Sequence, residues 1–263
     1  MANGTRRDLG AGVVGVIAGF MSGLFGIGGG TVIVPGLVFV MRFTQRYAHG
    51  TSLAAIVPIA AAGVAGFALD DKVDWPVAGL LVVGSTIGAQ IGTRLIHRVS
   101  HRHLRIGFAV LLLITAVRLV LDSAEFLVPG REALDPAAAL GLAGLGFVAG
   151  VLAGLMGVGG GIVLVPGQIL LFGIEDAVAK GTSLAVIIPT AVVGTTTNVK
   201  RDNADLRTAM IVGVAGVITA FLASRIAVDL DPTVSSVLFG LLLSVVSLRL
   251  LLQREPVAEP VTP

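Results

Sequence analysis

Residues 23–36 read Gly-Leu-Phe-Gly-Ile-Gly-Gly-Gly-Thr-Val-Ile-Val-Pro-Gly, and residues 154–167 read Gly-Leu-Met-Gly-Val-Gly-Gly-Gly-Ile-Val-Leu-Val-Pro-Gly. The second stretch restates the first at an offset of 131 residues. The same offset carries Gly-Thr-Ser-Leu-Ala at 50–54 onto 181–185, Pro58 onto Pro189, Asp71 and Asp74 onto Asp202 and Asp205, and Arg94 onto Arg225. No insertion is needed between Gly19 and Leu119, so the chain is two copies of one structural unit. Within each unit an apolar stretch breaks at the glycines and resumes as a piece of about a dozen residues, too short to cross a bilayer as an ordinary helix of about 20 residues. The break therefore reads as a bent or re-entrant hairpin, and three full spans follow it.

Composition says what surrounds these breaks. Of 263 residues, 55% are hydrophobic and 13% are charged, against about 25% charged in a soluble domain. Mean hydropathy is +0.96. There is too little polar surface to coat a globule in water, so the chain reads as an integral membrane protein. Only helical bundles and closed barrels satisfy their backbone in lipid. The apolar runs (11–41, 50–69, 75–93, 104–121, 137–174, 181–197, 208–224 and 233–252) are continuous rather than alternating, which selects helices over barrel strands. With no cysteine, disulfides, thiol nucleophiles and cysteine metal sites are excluded. The 18 basic and 16 acidic side chains nearly cancel, so no nucleic-acid surface is expected.

The expected architecture is an all-α integral membrane protein of two inverted-topology repeats. Its divisions are an N-terminal transmembrane repeat over 1–121, an external linker over 122–137, a C-terminal transmembrane repeat over 138–252 and a flexible cytoplasmic tail over 253–263. Positive charge supports inversion. With both termini cytoplasmic, all of the 18 Lys and Arg except Lys72, Arg118, Arg131, Lys180 and Arg225 lie inside. Parallel repeats would leave inside only Arg42, Arg46, Arg94, Arg98, Arg102, Arg105, Lys180 and Arg225.

Inverted repeats around discontinuous helices are the plan of many secondary transporters, with the site near the midplane. Breaking a helix in lipid leaves backbone groups unpaired, which costs several kcal/mol each unless something satisfies them. Glycine runs let N–H groups converge on an anion, and the following short helix points its positive end at the break. The expected lining is therefore Gly26, Gly28, Gly29, Gly30 and Thr31, with Gly157, Gly159, Gly160 and Gly161 from the second copy. Thr51, Ser52, Thr182 and Ser183 read either as N-caps opening a span or as hydroxyl donors to the solute. His49 and Lys180 occupy matching positions and add charge or snorkel to water. Gln168 has no counterpart in the first copy and would give the site asymmetry. Asp71, Asp74, Asp202 and Asp205 read as caps, and Arg94 and Arg225 as anchors at helix C-termini. The basic stretch from Arg94 to Arg105 reads as a contact with anionic lipid headgroups. No P-loop and no mid-span nucleophile or acidic pair is present, so neither an enzyme nor a cofactor or metal site is expected.

The doubled glycine motif and the two Gly-Thr-Ser-Leu-Ala segments resemble the TauE/SafE sulfite exporter family, also called DUF81 or TSUP, over residues 10–252. That resemblance implies a plasma-membrane permease exporting sulfite or related organosulfonates, with a small anionic solute and membrane lipids as its partners. An anion channel of the same fold, a permease for another small organic anion, and a non-transporting scaffold are the competing readings.

Overall fold

The computed structural model describes residues 2–95, 106–107, 109–110, 112–117, 135–156 and 159–252. Most of the expected linker, the tail, the basic stretch beyond Leu95, and Gly157 lie outside the described residues. Among the described residues all regular structure is helical. In chain order the helices are α1 (Ala2–Phe25), α2 (Gly30–Met41), α3 (Gln45–Ala68), α4 (Trp75–Leu95), α5 (Pro136–Met156), α6 (Gly161–Phe172), α7 (Asp176–Val199), α8 (Leu206–Asp229) and α9 (Pro232–Leu252). The described parts of 106–117 are helical as well. Six helices (α1, α3, α4, α5, α7 and α8) are long and apolar enough to cross a membrane, whereas α2 and α6 are not.

The glycines decide the hairpin. Gly26, Gly28 and Gly29 take φ of 70°, 76° and 75°, a left-handed backbone that a side chain would strain, and α1 ends there. α2 then runs back along α1. Gly36 packs on Val14, Gly10 on Val40, and Arg7 Nη2 donates to Met41 O at 3.3 Å. α6 returns along α5 in the same way, with Gly167 on Leu145 and Gly141 on Phe172. Each broken stretch thus enters and leaves on one side of the bundle, as the short apolar pieces predict.

Contacts between the copies follow one symmetry. Gly15, Gly19 and Gly23 of α1 face the carbonyls of Val212, Gly216 and Ala220, so α1 and α8 run parallel in close contact. α4 and α5 repeat this through Gly84, Gly88 and Gly92 against the carbonyls of Ala143, Phe147 and Val151. A Cβ at any of these six glycines would fall closer than 3.0 Å to backbone. Small residues at such crossings let helices in lipid approach closely enough to gain dispersion energy. α3 and α7 are equivalent helices, and they run antiparallel: Leu53 packs on Gly194 while Leu184 packs on Gly63. The rotation exchanging them is therefore perpendicular to the helices, as inverted repeats require. The opposite side of α8 is apolar and outward, with Val214, Ile218 and Leu222 exposed by 60%, 68% and 54%. That stripe suits contact with acyl chains.

Two sequence expectations change. The Gly-Thr-Ser-Leu-Ala segments do not open their spans. α3 starts at Gln45, behind an N-cap at Thr44 whose side chain accepts from Tyr47 N, and α7 starts at Asp176. The polar run Gln45 to His49 reads as loop from composition, yet it contains nothing that breaks a helix. Asp74 and Asp205 do cap α4 and α8, accepting from Val77 N at 2.9 Å and Thr208 N at 3.1 Å. Asp71 and Asp202 instead sit at the ends of α3 and α7 with φ of 55° and 52°, where the chain turns out of the helix. Asp tolerates that left-handed conformation better than most side chains.

Candidate functional site

The two glycine loops meet inside the bundle. A Cβ built on Gly28 would stand 3.1 Å from Ile187 and 3.4 Å from Ile56, and one on Gly159 would stand 3.7 Å from Ile56 and 3.8 Å from Ile187. Gly161 lies against Ile27 and Gly26 O, and Gly26 lies against the backbone of Lys180. Ile56 and Ile187 are counterparts across the repeat and are both buried, as is Ile27. Here the breaks in two helices, one from each copy, converge on a plug of isoleucine.

These loops carry unused donors. Gly26 N–H still donates to Ser22 O at 2.8 Å, and the next bonded amides are those of Val32 and Ile33, both on Gly29 O at 3.0 Å. The amides of Ile27, Gly28 and Gly29 have no backbone acceptor among the described residues. In the second copy Val163 and Leu164 donate to Gly160 O at 3.0 and 3.1 Å, the same pattern at the head of α6. Amides free at a helix N-terminus, with the dipole behind them, attract negative charge.

Of the four candidate hydroxyls, two are engaged and two are not. Thr51 Oγ1 donates to Tyr47 O at 2.8 Å and accepts from Asp205 N at 3.0 Å. Thr182 Oγ1 accepts from Asp74 N at 2.9 Å. Both threonines therefore tie one copy to the turn before a span of the other. Ser52 and Ser183 are fully buried, and neither hydroxyl has a hydrogen-bond partner among the described residues. Thr31 Oγ1 and Ser22 Oγ, either side of the first glycine loop, are buried and unpartnered too.

The charged pair at matching positions has diverged. Lys180 is fully buried; its Nζ donates to Asp176 Oδ2 at 2.7 Å and to Ser235 Oγ, and Ser235 Oγ donates to Asp176 Oδ2 at 2.6 Å. A buried cation is tolerated only with such partners. His49 is half-buried on α3. Gln168 is fully buried in α6, and its Nε2 donates to Leu164 O at 3.0 Å and to Ala179 O at 3.2 Å. Its Oε1 has no donor.

Helical spacing of three and four residues places His49, Ser52 and Ile56 on one face of α3, and Lys180, Ser183 and Ile187 on one face of α7. Because these helices are antiparallel, the order through the bundle is His49, Ser52, the isoleucine plug, Ser183, Lys180. The structure thus gathers the glycine loops, Ser52, Ser183, Gln168 and Lys180 about one axis, and holds Thr51 and Thr182 in the scaffold beside it. Sequence reasoning missed Asp176 and Ser235 as the partners of Lys180, although Asp176 stands four residues before it, a helical ion-pair spacing. It also missed Ile56 and Ile187, whose one signal is the repeat, and Ser22, which aligns with Ala153 in the second copy and carries none.

Other polar groups are structural. Ser85 Oγ and Thr190 Oγ1 lie 3.1 Å apart between α4 and α7, and Thr196, Thr197 and Asn198 bond carbonyls of their own helix. Arg225 Nη1 reaches Gly66 O at 3.3 Å and the carboxylate of Asp70, fastening α8 to the end of α3. Lys72 bridges to Glu175 at 2.7 Å across the copies. At Asp205, burial alone would raise the carboxyl's pKa. Hydrogen bonds from the Thr208 hydroxyl, Thr208 N–H and Arg207 N–H outweigh burial and hold it below its ordinary value.

A helical bundle of two symmetry-related halves, with paired helix breaks meeting at its centre, defines a multi-pass membrane transporter of a small solute. The chain belongs to the sulfite exporter TauE/SafE family, whose model matches residues 2–119 and 142–262. A probable membrane transporter protein of Bacillus subtilis (strain 168), YunE, is 30% identical over 204 residues, covering 69% of this chain and 74% of its own. The probable membrane transporter protein MJ0441 of Methanocaldococcus jannaschii is 26% identical over 190 residues, covering 69% and 68%. A probable membrane transporter protein of Xylella fastidiosa (strain 9a5c) is 40% identical over 87 residues, which is 33% of each chain.

Proposed function

We propose that this protein exports a small sulfur-containing anion, sulfite or an organosulfonate, across the plasma membrane by alternating access. The solute sits where the two glycine loops meet, lined by Gly26, Gly28, Gly29, Gly30 and Thr31, by Gly157, Gly159, Gly160 and Gly161, and by Ser52, Ser183 and Gln168. Thr51 and Thr182 hold the loops before α8 and α4, and His49 and Lys180 mark the two approaches. The face on which α1 begins is cytoplasmic, because that face collects Arg7, Arg42, Arg46, Lys200 and Arg207.

One observation carries this reading: the glycine breaks of two helices, one from each copy, converge on Ile56 and Ile187 at the centre of the bundle. Free donors at that depth are costly unless an anion satisfies them. The isoleucines close the path, so passage requires one half to move against the other. Export needs no coupling ion, since an inside-negative potential contributes about 2.3 kcal/mol per charge per 100 mV.

Flux of radiolabelled sulfite and sulfoacetate in proteoliposomes tests the proposal. Saturable uptake that shows counterflow and follows an imposed potential is expected. Ohmic, non-saturating currents would replace the carrier with a channel, and absence of flux for both solutes would remove the sulfur-anion assignment.

A further inference from the structure

Gln168 is the one member of this constellation with a fixed polarity. Its amide nitrogen is held by two carbonyls, Leu164 O at 3.0 Å and Ala179 O at 3.2 Å. Turning the amide over would set its oxygen against both of those carbonyls, so Oε1 is obliged to face the other way. There it is fully buried and receives no hydrogen bond.

Its neighbour is Ser183. In α7 the carbonyl of Ala179 is also the acceptor for the amide four residues on, which is that of Ser183. The Gln168 side chain therefore meets α7 within a turn of Ser183, whose hydroxyl is likewise buried and unpartnered. Two buried oxygens on adjacent helices, neither satisfied by the protein, cost about 1–3 kcal/mol each if left so. One is an obligate acceptor and the other can donate. The head of α6 at Gly161 packs on Ile27, and the positive end of that helix's dipole points into the break. Net charge there is small, because Asp176 neutralises Lys180.

We infer that Gln168 and Ser183 form a specificity site for a monoanion that carries its own hydrogen-bond donor. An O–H or N–H of the solute bonds Gln168 Oε1, an anionic oxygen accepts from Ser183 Oγ, and the positive end of the α6 dipole favours the rest of the charge. A hydrogen-bearing oxyanion fits, and so does a hydroxyalkyl- or aminoalkylsulfonate. A dianion does not, because only partial positive charge is available. The first copy cannot build this site: it has Ser52 in place of Ser183 but Leu37, buried and apolar, in place of Gln168. The inference rests on the anion-carrier reading above and narrows it to a class of solute.

Two sulfonates of equal charge and nearly equal size make the test. Isethionate bears a terminal hydroxyl; ethanesulfonate has a methyl group there. Each is titrated against the purified full chain in detergent, and the apparent affinity is read from ligand-induced thermal stabilisation. The wild type is expected to prefer isethionate at least about tenfold, the discrimination of one buried hydrogen bond. Q168M is expected to bring that ratio below about twofold while ethanesulfonate still stabilises, since loss of one acceptor removes one such bond. S183A, which leaves the Gln168 amide in place and removes the donor that both sulfonates share, guards against a Q168M chain that fails to fold and is expected to weaken both while retaining the preference. Equal affinities in the wild type, or a preference that survives Q168M, would overturn the inference and leave the carrier reading standing. If neither sulfonate stabilises the wild type, the inference falls together with the organosulfonate part of the anion-carrier reading.

Discussion

Thr51 accepts the backbone amide of Asp205 at 3.0 Å, and its counterpart Thr182 accepts that of Asp74 at 2.9 Å. Each threonine sits inside a long helix of one copy and fixes the turn that starts a span of the other. The pairing makes the two halves hold each other's entry points in place.

Replacing Thr51 by Val keeps the shape and removes the acceptor, leaving the Asp205 amide unpaired. The expected loss is about 1–3 kcal/mol for that half-buried donor, seen as a lower unfolding temperature in detergent. Thr51→Ser restores the oxygen and is expected to stay near wild type. An unaltered unfolding temperature in Thr51→Val would show that the cross-brace contributes nothing.

Lys180 is the most consequential single charge. Asp176→Asn leaves a fully buried ammonium without its counter-ion, expected to cost about 3–5 kcal/mol. The double change Lys180→Met with Asp176→Leu removes both charges and is expected to recover most of that loss, because a well-packed apolar pair often replaces a buried ion pair without penalty. Thermal unfolding of the three chains, run side by side, checks it. If the double variant is no more stable than Asp176→Asn, the pair stabilises through more than mutual neutralisation.

The glycine stripes give a contrast within one helix. A side chain at Gly88 would collide with Phe147 O, whereas one at Gly79 would meet nothing within 4 Å. Gly88→Val is expected to abolish the monodisperse folded peak in size-exclusion chromatography. Gly79→Ala is expected to leave it intact and to gain about 0.5–1 kcal/mol of helix propensity. A folded Gly88→Val chain would mean that α4 and α5 can separate without loss of the fold.

Much of this was legible from residues alone because the bilayer narrows the choices. Hydrophobic runs of spanning length, charges confined to connections and a repeat without gaps leave a helical membrane bundle in two copies. The Gly-x-Gly-Gly-Gly segments mark the helix breaks, since only glycine adopts left-handed φ at successive positions without strain. Where α3 and α7 start was not legible, because Gln45 to His49 are polar yet helix-compatible, and a cap at Thr44 outweighs their composition.

The amino-acid order alone determined that there are two units, where each is broken and that each break turns back on itself. Tertiary packing alone decided the partners. Nothing local distinguishes Thr51 from Ser52, yet adjacent positions on a helix point about 100° apart. That rotation sends one hydroxyl to a backbone amide of the other copy and leaves its neighbour buried without a partner near the axis. The same holds for Gln168, whose amide acquired a direction only when α6 folded back beside the carbonyl of Ala179.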